Sequence, residues 1–180
     1  MSDETDHPAN RRIDRIRDSS FVEGLADLSL DDLRTRRDEC LAEREYLSLL
    51  RRLVQGRAEI LQAELNARAG DGDPGPLVDR LTTILAGDEH PGSSRGEAVR
   101  VGVPEEEMLL ARRRIERLVA DAGISDPTAL GDEELADAVE ALTAEEHEVS
   151  HARADVIGVL DTVQAELKRR YKDDPTLALR

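Results

Sequence analysis

SLDDLRTRRDECLAEREYLSLLRRLVQGRAEILQAEL, Ser29 to Leu65, contains no proline, and Leu33, Cys40, Leu47, Val54 and Leu61 recur in it every seven residues. A seven-residue apolar period marks helices paired along a seam. Ser29 stands three residues before Asp32, a variant of the capping box, and the next proline is Pro74. A helix from about 30 to 68 would run roughly 60 Å. The companion seam position reads Leu30, Arg37, Arg44, Arg51, Ala58, Leu65. Its middle is arginine where a plain coiled coil would place an aliphatic residue, so something polar is expected there.

The rest of the 180-residue chain fits that reading. Aromatic residues make up 2% of it with no Trp, too little bulky material for a compact core, while 36% is charged. The expected fold class is all-α: long helices paired along a coiled-coil seam, with shorter accessory helices. A net charge of -15 excludes a protein that holds DNA or an anionic membrane through its overall field, and points to a basic partner. No apolar run approaches the roughly 20 residues of a membrane span. The N-terminus MSDETDHPANRR has no signal-peptide stretch. A cytoplasmic location is expected. Cys40, the single cysteine, is expected to be a small buried hydrophobe at the seam.

Composition shifts divide the chain. Residues 1–28 read as a polar tail followed by a short helix ending near Ser19, and 29–69 as the first long helix. Residues 70–104 are rich in Gly, Pro, Ser and Asp, a linker interrupted by PLVDRLTTILAG, which suits one short amphipathic helix. Pro104 and the acidic run after it open an accessory helix over 105–123, closed by Gly123. A second long helix is expected over 131–172, with a tail at 173–180.

The two long segments are related. Sliding the sequence by 102 positions lays Leu33 on Leu135, Glu43 on Glu145, Ser48 on Ser150, Arg51 on Arg153, Gly56 on Gly158 and Glu59 on Asp161. Apolar matches are common to any two heptad helices, but the serine, arginine and glycine matches are not required by helix packing. At 100° per residue, Ser48, Arg51, Gln55 and Glu59 share one arc of about 80°, as do Glu146, Ser150, Arg153 and Asp161. Such a face can be an ordinary solvated stripe of charge pairs. Its duplication suggests instead a ligand contacted by both helices. An arginine offers a planar fork to the O6/N7 edge of guanine or to a phosphate, a carboxylate accepts guanine's N1 and N2 hydrogens, and a serine donates to phosphate. Gly56 and Gly158 either let a flat ring approach the backbone or let two helices pack closely.

These ladders resemble the repeated E-x3-S-x2-R-x3-Q-x3-D motif of the RsiG anti-sigma factors. The second copy here reads Glu146, Ser150, Arg153, Ile157, Asp161, departing at the glutamine; the first reads Arg44, Ser48, Arg51, Gln55, Glu59, departing at the leading glutamate and conservatively at the end. FVEGLADLSLDDLRTRRDEC and SLLRRLVQGR also resemble the family. The resemblance implies a cyclic di-GMP ligand, bound as a dimer on an antiparallel coiled coil, and a sporulation-type RNA polymerase sigma factor of the WhiG kind as partner. It implies Ser48, Arg51, Gln55, Glu59, Glu146, Ser150, Arg153 and Asp161 as ligand-binding residues; Arg44, where the family has a carboxylate, is a departure that could reach a phosphate instead. No catalytic residue, metal or direct DNA contact is expected. Bound nucleotide would neutralise Arg51 and Arg153 and complete the surface met by the sigma factor.

Two competing readings stay open. His147-Glu148-Val149-Ser150-His151 has the spacing of a zinc-peptidase helix. That chemistry also needs a third ligand and an open cleft, and the remaining histidines, His7 and His90, fall in the tail and the linker. A purely structural coiled-coil adaptor would instead use the arginines for interhelical salt bridges with Glu146 and Asp161.

Overall fold

The structure, a computed structural model, describes residues 8–70, 104–121 and 129–179. The polar tail up to residue 7, most of the linker with its short helix, and Gly123 lie outside the described residues. The described elements are helical: α1 (Pro8–Arg17), two single turns of 3-10 helix at Ser19–Phe21 and Leu25–Asp27, α2 (Leu30–Ala69), α3 (Glu105–Asp121), α4 (Asp132–Asp173) and a last 3-10 segment, Pro175–Leu179. The expected all-α fold class is observed, with two long helices packed together and shorter helices beside them.

Local chemistry sets the ends of the long helices. The Ser29 hydroxyl accepts from the Asp32 backbone N–H at 3.1 Å and donates to the Asp32 carboxylate at 2.6 Å, so one side chain caps the first turn of α2. Gly70 takes φ +79°, the left-handed conformation that closes a helix and that L side chains rarely adopt. At the start of α4 the Glu134 carboxylate reaches back to accept from the Gly131 N–H at 2.9 Å, and Asp132, Glu133 and Glu134 crowd the positive end of the helix dipole.

The chain forms two compact units, one of Met1–Ser48 with Val149–Arg180 and one of Leu49–Glu148. In the first, Leu33, Cys40 and Leu47 of α2 are buried with Val149, Val156 and Val163 of α4. Arg34 of α2 donates to the Tyr171 hydroxyl at 3.3 Å, whereas Ser48 meets Arg153. As one residue number rises the other falls, so the helices are antiparallel. In the second unit Val54 and Leu61 are buried with Leu135 and Leu142, and the pairs Arg51–Glu146 and Arg68–Asp132 show the same antiparallel order.

The buried stripe departs from the sequence expectation on one flank. Arg37, Arg44 and Arg51 are half-exposed and do not form a second seam. The second buried line of α2 consists of Glu43, Tyr46 and Leu50. In the first unit, the physical reason is the segment before α2, whose Ile16, Phe21 and Leu25 are buried and whose Arg12 pairs with Glu43. A third layer on that flank covers Glu43 and leaves the arginines at the edge, where their charged heads reach water.

Cys40 is fully buried, and burial, with Glu39 and Glu43 nearby, pushes its thiol up to about 11. The thiolate is therefore scarce at neutral pH. Native protein is expected to give no reaction with Ellman's reagent at pH 8 over an hour and one thiol equivalent after denaturation.

Candidate functional site

The ladder residues reach their positions because α2 and α4 each run unbroken past them. In the unit Leu49–Glu148, the Arg51 Nε of α2 donates to Glu146 Oε1 of α4 at 2.7 Å. Arg51 keeps 43% of its side chain exposed and Glu146 keeps 20%. The next turn of α2 carries Gln55, whose amide donates to Glu59 at 3.1 Å. In the other unit, the Arg153 Nε of α4 donates to the Ser48 hydroxyl of α2 at 2.9 Å, and that hydroxyl donates to the Arg44 carbonyl at 2.7 Å. Ser150 and Ile157 are half-buried and Asp161 is exposed. The structure thus brings together Arg51 with Glu146, Arg153 with Ser48, and Gln55 with Glu59.

The repeat explains why the two arginines have different partners. Shifting the Arg51–Glu146 pair by 102 residues in each direction produces Arg153 and Arg44, two guanidinium groups that cannot pair. Arg153 therefore takes a neutral hydroxyl, and Arg44 turns to its neighbour Glu45 at 2.8 Å.

Gly56 and Gly158 are not packing glycines among the described residues, where a Cβ built on either would meet nothing within 4 Å. The close-packing reading fails at both, and each position leaves backbone open in mid-helix at a cost of about 1 kcal/mol relative to alanine.

Sequence reasoning missed a second duplicated feature. Glu43 is 1% exposed and is held by Arg12 of α1; Glu145, its equivalent in the repeat, is held by Arg114 of α3 at 2.7 Å. Both pairs span 31 residues. The signal was present, since Arg11-Arg12-Ile13-Asp14-Arg15 falls on Arg113-Arg114-Ile115-Glu116-Arg117 at the same 102-residue shift. The repeated unit is thus a shorter helix with an arginine-rich stretch, joined by one arginine to a long helix immediately before the ladder's first position.

His147 and His151 are both exposed on the unbroken α4, and His147 Nε2 lies 4.0 Å from Glu146. Among the described residues no group of three His, Cys, Asp or Glu side chains could hold a metal ion. His147→Ala and His151→Ala are expected to leave helicity and nucleotide binding within twofold of the parent, measured by circular dichroism and calorimetry; a zinc-dependent loss in either would restore the peptidase reading. Among the described residues no helix is long and apolar enough to cross a membrane.

A protein-family model described as RsiG-like matches residues 19–85 and 121–179, more than half of the chain, including both ladders. The matched segments leave out α1 and nearly all of α3. No curated protein gives a significant match.

Proposed function

The chain belongs to the RsiG-like family, a regulatory anti-sigma family rather than an enzyme family, and on that premise we propose that it is an anti-sigma factor switched by cyclic di-GMP. The nucleotide, bound as a dimer, engages the ladders Ser48, Arg51, Gln55, Glu59 and Glu146, Ser150, Arg153, Asp161. The complex then sequesters a WhiG-type sporulation sigma factor in the cytoplasm.

The observation that carries this reading is reciprocal. Arg51 of α2 reaches a ladder residue of α4, and Arg153 of α4 reaches a ladder residue of α2. Arginines aligned by a repeat and kept at the helix edge suit a ligand with its own twofold symmetry. Each fork can address the O6/N7 edge of guanine or a phosphate, with Glu59 and Asp161 as acceptors for N1 and N2. Arg44, Arg51, Arg52 and Arg57 give an otherwise acidic chain a local place for a polyanion. The acidic remainder complements the basic surfaces through which a sigma factor meets DNA.

The adaptor reading has one observation in its favour: Arg51 and Glu146 already satisfy each other at 2.7 Å without a ligand. Mixing the chain with cyclic di-GMP and a WhiG-type sigma factor and measuring the mass of the complex separates the two. Saturating nucleotide is expected to raise sigma affinity about tenfold or more, within the usual range of coupling between sites. Equal affinity with and without nucleotide favours the adaptor.

A further inference from the structure

The two copies of the ladder carry arginines in unequal states. Arg51 is bound by a carboxylate, that of Glu146, at 2.7 Å. Arg153 is bound by the Ser48 hydroxyl, and Arg44, one turn before Ser48 and paired with its own neighbour Glu45 at 2.8 Å, puts a guanidinium where the duplicated pattern has the Glu146 carboxylate. An anion approaching Arg51 has to break a charge-assisted hydrogen bond and then sits beside the displaced carboxylate. An anion approaching Arg153 displaces a neutral acceptor rather than a carboxylate, and the Ser48 hydroxyl can turn from the Arg44 carbonyl to donate to the newcomer.

We propose that Arg153, with Ser48 and Arg44, captures the nucleotide's phosphate first, while Glu146 latches Arg51 and acts on the ligand through it rather than by touching guanine. This rests on the cyclic di-GMP reading above and adds an order to it. The half-site at Arg153 loads from the free protein; the half-site at Arg51 loads once the ligand's own charge competes for the guanidinium. Glu146 is a positioning residue in this scheme, and its removal has the opposite sign from the removal of a ligand contact.

The test is calorimetric titration of the full chain and two variants with cyclic di-GMP. Glu146→Gln keeps the shape of the side chain and removes its charge. It is expected to bind about three- to fivefold more tightly, since one partly exposed ion pair no longer has to be broken. Arg44→Glu places a carboxylate at the position that corresponds to Glu146 and is expected to bind about three- to fivefold more weakly. Loss of affinity in Glu146→Gln overturns the latch and makes that carboxylate a direct guanine contact. Unchanged or tighter binding by Arg44→Glu overturns the role of Arg153 as the point of entry. In both cases the wild-type chain still binds. A wild-type chain that gives no heat of binding overturns the nucleotide reading itself, and the loading order with it.

Discussion

Arg51→Ala and Arg153→Ala will each weaken cyclic di-GMP binding by about 1–3 kcal/mol, the value of one bidentate arginine-guanine contact, and Arg153→Ala will lose the more of the two. Both helices survive the changes, because the arginines sit half-exposed at the helix edge and alanine is the better helix former. Arg51→Ala also takes one partner from Glu146, whose carboxylate is partly exposed, and that costs little. Arg169→Ala is a suitable control: its side chain pairs with Glu166 and Asp173 on its own helix, away from the ladder. Arg34→Ala is a poor control, since Arg34 ties the Tyr171 hydroxyl and the Leu177 carbonyl to α2. Calorimetric titration with circular dichroism on each variant is the measurement. Wild-type affinity in both arginine variants would remove the paired ladders as the nucleotide site and leave the adaptor.

Arg12→Ala is expected to cost about 2–3 kcal/mol of stability, read as a lower denaturation midpoint in urea. Glu43 is 1% exposed, and without the guanidinium its charge loses the ion pair that offsets its desolvation. The figure lies below that of a fully enclosed pair because Arg12 keeps 20% of its side chain in contact with water. Replacing both partners, Arg12→Met with Glu43→Leu, is expected to return most of the loss, since the core on that flank then becomes uniformly apolar. A double variant as unstable as Arg12→Ala would show that the pair is needed for the geometry of α1 on α2 and not only for neutralising a buried carboxylate. Arg114→Ala, at the equivalent position of the repeat, is expected to cost less, because Arg114 is 36% exposed and Glu145 16%.

The helical class and the apolar face of each long segment were legible in the sequence for a definite physical reason, whereas the antiparallel order was implied by the family resemblance. A helix repeats its faces locally, so the period of Leu33, Cys40, Leu47, Val54 and Leu61 declares which side is apolar without reference to any other part of the chain. The ladder on each helix was legible in the same way, as an arc of polar residues repeated at a fixed distance.

Which flank of the apolar stripe would be covered was not legible from the heptads. Either neighbouring line could have served as the second seam, and the composition of the arginine line invited the idea of a polar seam. The tertiary structure buries the line of Glu43, Tyr46 and Leu50; in the first unit, where Ile16, Phe21 and Leu25 are buried as well, Arg12 supplies the cation that makes a buried glutamate tolerable. The same holds for the ladder's present state. Sequence placed Glu146 and Arg51 on faces of separate helices 95 residues apart; only the packing of α2 on α4 brings them to 2.7 Å and leaves Arg153 to a hydroxyl. Periodicity along a helix is a local property of the chain, whereas the partner of a charged side chain depends on which residues of another helix stand opposite it, and that is decided by packing.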